Sequence, residues 1–101
     1  MSFYIYILYS ESSDKYYVGH TDDPWRRIEE HNSSDHITYT AKHRPWVLKA
    51  VFHCAENRGE AMRIERYIKN QKSRIFIEKL IAGEAHKGTL AQLVRVPKLR
   101  D

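Results

Sequence analysis

The sequence predicts one α+β domain in which helices flank a small three-stranded antiparallel sheet. Three observations lead to this prediction. Hydrophobic residues make up 42% of the 101 residues, apolar runs typical of strands are mixed with helical patterns, and the chain has neither repeats nor low-complexity segments. A chain of this length and composition can bury one core. We place the domain at residues 1–83 and treat residues 84–101 as a separate C-terminal tail.

The first three elements are predicted to be a hairpin and a helix. Residues 3–9 are continuously apolar, aromatic or β-branched, which is typical of a central strand. A polar turn leads to a return strand at residues 16–20. Asp23 is then a predicted helix N-cap and Pro24 the first helical residue, in a helix that ends near His31.

A long polar loop, residues 33–46, separates this half from the next strand, residues 47–54. Loops of such length in compact domains are usually functional or mobile. Asn57, with Glu60 three residues later, resembles a capping box and predicts the start of a helix. Another helix follows and ends near Gly83.

Charge and cysteine content narrow the function classes. The formal net charge of +4 and the pI of about 9.3 favour a polyanionic partner, although many small basic proteins bind none. The one cysteine, Cys54, excludes a disulfide within the chain and fits a reducing cytosol. We find neither a signal-peptide pattern nor an apolar run near the ~20 residues that span a bilayer. The protein is therefore expected to be cytoplasmic, without membrane contact.

Two residues of the first helix stand out. Arg27 and His31 are four residues apart and share a side that borders the apolar Ile28, which predicts positions at the rim between core and water. This placement has a purely structural alternative. An arginine can pack its aliphatic stem there, and a histidine is favoured at a helix C-terminus by the helix dipole.

Glu65 falls inside the apolar arc of its helix, between Ala61 and Met62. A carboxylate in such a position must be paired, hydrogen-bonded or bound to a metal ion. A salt bridge to a neighbouring arginine is the structural alternative.

Tyrosines are concentrated in the first hairpin, which carries Tyr4, Tyr6, Tyr16 and Tyr17. Tyr4 and Tyr6 share one face of their strand because alternate strand residues point the same way. Core packing explains any single tyrosine. Two phenols with an Arg–His pair and a half-buried glutamate at one sheet edge would form a phosphodiester-cleaving set. In such a set a phenol activates water, an arginine stabilises the developing charge and a carboxylate holds a divalent metal.

These residues lie in motifs that resemble the GIY-YIG nuclease family, specifically its small stand-alone bacterial YhbQ-like (UPF0213) type. The half-motifs are "YIY" at residues 4–6 and "YVG" at residues 17–19. They are followed by "TDDPWRRIEEHN" at residues 21–32 and by the glutamate-bearing "EAMRIERYIKN" at residues 60–70. The resemblance covers about residues 3–82 and departs from the family pattern at Tyr4, which replaces the first glycine.

The resemblance implies an active site with distinct roles for its members. Tyr6 is the candidate base, Tyr17 orients water or substrate, and Gly19 lets the backbone turn beside the site. Arg27 would contact the scissile phosphate, His31 would assist proton transfer or phosphate binding, and Glu65 would hold one Mg²⁺ or Mn²⁺. The implied catalytic set is Tyr6, Tyr17, Arg27, His31 and Glu65.

We therefore expect a divalent-metal-dependent DNA endonuclease, structure-selective or weakly specific, in DNA repair or recombination. Lys42 and Arg44 of the long loop and Arg63 of the glutamate helix are candidate DNA contacts, although a solvated basic loop is equally compatible with the sequence. We expect no appended DNA-reading domain of the kind that larger relatives use for targeting, so a protein partner is a further candidate. No small-molecule cofactor is expected. The alternatives are a catalytically weak nucleic-acid-binding module and an RNA-directed or purely structural protein.

The tail fits this pattern poorly. One back-translation of "LAQLVR", residues 90–95, resembles the D-arm region of a bacterial tRNA gene. This suggests a reading frame that runs through a lost stop codon into an adjacent tRNA gene. Residues 88–101 would then have no selected function and would be mobile or packed only by chance.

Overall fold

The computed structural model describes residues 1–33 and 38–97, and it confirms an α+β architecture. The strands are β1 (Phe3–Ser10), β2 (Lys15–Thr21), β3 (Trp46–Ala55) and β4 (Val94–Val96). The helices are α1 (Pro24–Ser33), the short α2 (Thr38–Ala41), α3 (Arg58–Asn70) and α4 (Arg74–Ile81), and a 3₁₀ turn spans Gly88–Leu90. None of the helices in the described residues is long and apolar enough to cross a membrane.

The sheet has four strands in the order β2-β1-β3-β4, all antiparallel, so the prediction of three strands is wrong by one. The central position predicted for the first strand is confirmed. The added strand, β4, lies against β3, where Phe52 pairs with Arg95. Without β4 that part of β3 would be a sheet edge with unpaired backbone groups, which β4 satisfies.

Part of the predicted tail packs into the core of the domain. Leu90 and Leu93 are 1% and 4% exposed and lie in the same apolar cluster as Phe52. The Gln92 side-chain amide donates to the Cys54 carbonyl at 2.6 Å. The read-through origin of residues 84–101 stays a prediction. Residues 34–37 of the predicted loop and residues 98–101 of the tail lie outside the described residues.

The two faces of the sheet carry separate clusters, as the alternation of side chains in β1 predicted. Phe3, Ile5 and Ile7 pack beneath α3 and α4. Tyr6 and Leu8 point to the opposite face, which α1 covers. The phenol of Tyr6 therefore lies on a different face from the main apolar core.

The predicted helix starts are confirmed by their capping bonds. The Asp23 carboxylate accepts from the Arg26 backbone N–H at 3.1 Å, and the Asn57 side chain accepts from the Glu60 N–H at 2.8 Å. Such bonds satisfy donors that the first turn of a helix leaves unpaired. They set the start of α1 directly after β2 and the start of α3 directly after β3.

Gly19 of β2 leaves room for the ring of Tyr6, which packs against it. It lies opposite Tyr6 in the strand register, and a Cβ built on it would lie 2.5 Å from Tyr6 Cζ. We expect Gly19→Ala to lower the free energy of unfolding by about 1–3 kcal/mol, because a rigid buried ring must move. Urea denaturation measures this change.

Gly59→Ala is the matched control for this prediction. A Cβ at Gly59 would have its nearest neighbour, Asn57 Oδ1, at an ordinary 3.6 Å, and alanine favours the helix that contains it. Equal stability of the two alanine variants would contradict the proposed conflict with Tyr6.

Candidate active site

A chain of hydrogen bonds runs from β1 through α1 to α2 on the Tyr6 face of the sheet. The Tyr6 hydroxyl lies 2.9 Å from His31 Nε2, and Thr40 Oγ1 lies 3.0 Å from His31 Nδ1. All three residues are at most 1% exposed. The prediction that His31 lies at the rim is therefore wrong, because α2 covers the imidazole and supplies its second polar partner.

Burial sets the protonation of this chain. Burial, with the charge of Arg27, lowers the pKa of His31 to about 4, so its imidazole is neutral at neutral pH. Burial also raises the pKa of the Tyr6 phenol well above its ordinary value, and the Arg27 guanidinium offsets this only in part. The phenol is therefore protonated in this state, and both shifts oppose a proton transfer from Tyr6 to His31.

The lowered pKa of His31 predicts a loss of stability in acid. The unfolded chain takes up a proton near pH 6.5 and the folded chain only near about 4, so stability rises with pH between these values. The contribution of His31 to the free energy of unfolding is fully present above about pH 6.5. About 3 kcal/mol of it is lost as the pH falls to about 4. Urea denaturation as a function of pH measures it. The same slope in His31→Gln would contradict this assignment.

Tyr17 and Arg27 complete the polar group on this face. The Tyr17 ring centre lies 4.7 Å from that of His31 and 6.2 Å from that of Tyr6. The Arg27 guanidinium donates to Glu30 at 2.8 Å, and its side chain stays 33% exposed. Its charge acts on the Tyr6 phenol, whose pKa it lowers in part. Arg27 thus lies at the rim, and four of the five predicted catalytic residues share one side of the sheet.

Glu65 lies at the edge of the sheet, near this group. Its helix, α3, covers the opposite face of the sheet, but α3 also contacts the edge strand, β2. The Lys69 ammonium lies 2.7 Å from Glu65 Oε2 and 5.4 Å from the centre of the Tyr17 ring. The charge of Glu65 also contributes to the raised pKa of Tyr6. Lys69 therefore links the carboxylate to the Tyr17 ring.

The other partner of Glu65 is His20, whose Nδ1 lies 2.6 Å from Oε1. The carboxylate is paired, as its place in an apolar arc required, but with His20 and Lys69 rather than with the neighbouring arginine of the alternative. Sequence reasoning missed His20. The available signal was its position on β2, two residues after the buried Val18 and facing the same side, where a polar side chain needs a partner.

The candidate DNA contacts have different surroundings. Lys42 is exposed. Arg44 donates from Nε to the His31 carbonyl at 2.7 Å, so it also holds the end of α1. Arg63 is exposed and forms an ion pair with Glu60 on the same helix. The role of all three in DNA binding stays a prediction.

Within residues 1–33 and 38–97, no group of three or more His, Cys, Asp or Glu side chains is arranged to hold a metal ion. Glu65 brings one carboxylate close to Tyr17, through Lys69. Magnesium commonly binds proteins through one or two carboxylates, keeps several waters and takes phosphate oxygens from its substrate. The donor chemistry at Glu65 therefore fits one such ion.

These elements define a class: a small α+β domain that gathers two phenols, an imidazole and a guanidinium on one sheet face, with a carboxylate at the edge. The family model of the GIY-YIG catalytic domain matches residues 2–79. The chain belongs to the GIY-YIG nuclease family, and its resemblance to the UPF0213 type is confirmed by relatives that match over most of their length.

Among these relatives, a UPF0213 protein of Halobacterium salinarum is 37% identical over 72% of this chain and 97% of its own length. The structure-specific endonuclease subunit SLX1 of Meyerozyma guilliermondii is 35% identical over 68% of this chain. The chain spans only 25% of that protein's length. The solution NMR structure of a UPF0213 protein from Bacillus halodurans aligns with a TM-score of 0.49 at 35% identity, over 81% of this chain and 84% of the other.

Proposed function

We propose that this protein is a divalent-metal-dependent endonuclease that hydrolyses phosphodiester bonds in DNA. The observation that carries the proposal is the convergence of Tyr6, Tyr17, Arg27 and His31 on one face, with Glu65 linked to Tyr17 through Lys69. Membership in a nuclease family supports the same reaction.

Arg27 supplies fixed positive charge for the phosphate. A guanidinium stays protonated at all relevant pH values and carries five N–H donors, so it offers charge and direction rather than acid catalysis. Its hydrogen bond to Glu30 uses only one of these donors. With a third of its side chain exposed, it can contact the oxygen on which charge develops as the bond breaks.

Glu65 would hold Mg²⁺ or Mn²⁺ beside Tyr17. In that position the ion would supply Lewis-acid chemistry, which polarises a phosphate oxygen and lowers the pKa of a bound water. The protein's own part is to keep the carboxylate fixed, through His20, and to place the Tyr17 phenol beside it.

The two phenols have separate roles in this proposal. The Tyr6 hydroxyl is buried, hydrogen-bonded to His31 and held in its neutral form, so it orders the site. Tyr17 is only partly buried and adjoins Lys69, so it is the phenol that a water molecule can reach. The assignment of Tyr6 as the base, which came from the family resemblance, stays a prediction that its raised pKa opposes.

Phenylalanine variants separate these roles. We expect Tyr17→Phe to lower the cleavage rate by about a hundredfold, the scale of a lost general catalyst, with little change in stability. Tyr6→Phe should lower the free energy of unfolding by about 1–3 kcal/mol, because it leaves the buried His31 nitrogen without its partner. Tyr16→Phe, whose hydroxyl donates to Glu78, is the control. A fully active Tyr17→Phe would contradict the role of Tyr17.

Lys42, Arg44 and Arg63 would bind DNA through its phosphates, without base-specific contacts. Such contacts give structure-selective or weakly specific binding, as expected in repair or recombination. The SLX1 relative is named as a structure-specific endonuclease subunit, which supports both this selectivity and a protein partner for targeting. The cytoplasmic location stays a prediction.

The function is tested by incubating the full chain with nicked, flapped, branched and single-stranded DNAs in Mg²⁺, in Mn²⁺ and in EDTA. We expect cuts only with metal, and faster cutting of one or more of the branched, flapped or nicked substrates. Salt-dependent binding without cleavage in either metal would favour the nucleic-acid-binding module instead.

A further inference from the structure

We propose that Lys69 occupies, in the metal-free protein, the place of the divalent cation on Glu65, and that His20 holds the carboxylate ready for the exchange. The inference rests on the proposed function, because it takes Glu65 to be the metal ligand. It adds two residues, His20 and Lys69, whose contacts set how tightly the metal binds.

The two oxygens of the Glu65 carboxylate have different partners. Oε1 lies 2.6 Å from His20 Nδ1, and Oε2 lies 2.7 Å from Lys69 Nζ. The glutamate and histidine side chains are only 19% and 18% exposed, so both groups are held rather than freely solvated. A metal ion that binds Oε2 can leave the bond to His20 intact.

The tautomer of His20 follows from its neighbours. Arg58 Nη1 lies 3.3 Å from His20 Nε2. Because a guanidinium can only donate, Nε2 must accept, and the imidazole proton lies on Nδ1, where it is donated to Glu65. Both ring nitrogens are therefore engaged, and His20 is a positioning residue rather than a metal ligand. Metal-binding carboxylates are commonly oriented by a hydrogen bond of this kind.

Lys69 supplies the positive charge at the other oxygen. Its ammonium lies 2.7 Å from Glu65 Oε2 and over the face of the Tyr17 ring, 5.4 Å from the ring centre. An ammonium and a divalent cation neutralise the same oxygen, so they compete for it. Once displaced, Lys69, already 46% exposed, is released beside the active face as a free cation for a DNA phosphate.

The competition is tested by Mn²⁺ titration of the full chain without DNA, with free Mn²⁺ followed by electron paramagnetic resonance. Lys69→Met should bind Mn²⁺ about threefold or more tightly, because the metal no longer displaces an ion pair. Loss of a merely structural contact would weaken binding instead. Lys72→Met removes one positive charge beyond the end of α3 and should change the affinity little. Lys69→Gln is a second neutral variant.

The role of His20 has its own comparison. His20→Ala should weaken Mn²⁺ binding by about tenfold, the scale of a lost hydrogen bond to a metal ligand. His20→Gln keeps an N–H donor and should recover much of the loss. Equal weakening in both variants would overturn the positioning role.

The outcomes distinguish the inference from the proposed function. Lys69 does not occupy the place of the metal ion if Lys69→Met and Lys69→Gln bind Mn²⁺ no more tightly than the wild type. The same conclusion follows if Lys72→Met tightens binding equally. If Glu65→Gln binds Mn²⁺ as well as the wild type does, the metal site of the proposed function itself is wrong.

Discussion

Glu65→Gln is expected to reduce metal-dependent cleavage by about a thousandfold, a loss of several kcal/mol of transition-state stabilisation. The substitution keeps the size of the side chain and removes only its charge. That charge contacts His20 and Lys69 at the sheet edge, beside the Tyr17 phenol. Single-turnover cleavage of the best DNA substrate in Mg²⁺ measures the effect.

The fold should survive the substitution. A glutamine oxygen can still accept from His20, and Lys69, whose side chain is 46% exposed, can turn to water. The loss of stability should therefore be about 1 kcal/mol or less. Glu60→Gln is the matched control, since Glu60 lies on the same helix and pairs with Arg63. We expect it to cut at nearly the wild-type rate. Cleavage by Glu65→Gln within tenfold of the wild type, at equal stability, would remove Glu65 from the metal site.

Much of the fold could be predicted because its signals are local. Helix caps such as Asn57 act over three residues, and the alternation in β1 needs only the strand itself. The strand β4 was missed because it is three residues long and follows glycines. Its pairing with β3 and the burial of Leu93 are long-range contacts that no local pattern reports.

The candidate site also has some features that local patterns predicted and others that depend on long-range contacts. Spacing along one helix grouped Arg27 with His31, and the apolar arc around Glu65 showed that the carboxylate needs a partner. The identity of that partner could not be read from the helix, because His20 is 45 residues away on another element. The complete burial of His31 depends on Thr40 of α2, which the sequence placed in a loop.

Arg27→Ala is expected to cut DNA about a hundredfold to a thousandfold more slowly, the cost of losing a donor to a developing charge. The rate falls because the phosphate loses a fixed positive charge. Arg27→Lys restores charge without the paired donors and should recover only part of the rate.

The adjacent arginine provides the control. Arg26 lies on the same helix, is 51% exposed, and pairs with Asp22 and Glu30. Arg26→Ala removes the same charge from the chain and should weaken DNA binding at most slightly, with an unchanged rate on saturating substrate. Both alanine variants should unfold at similar urea concentrations, because exposed helix pairs stabilise little. If Arg26→Ala and Arg27→Ala slow cleavage equally, the arginine acts through overall charge, and the phosphate contact assigned to Arg27 is wrong.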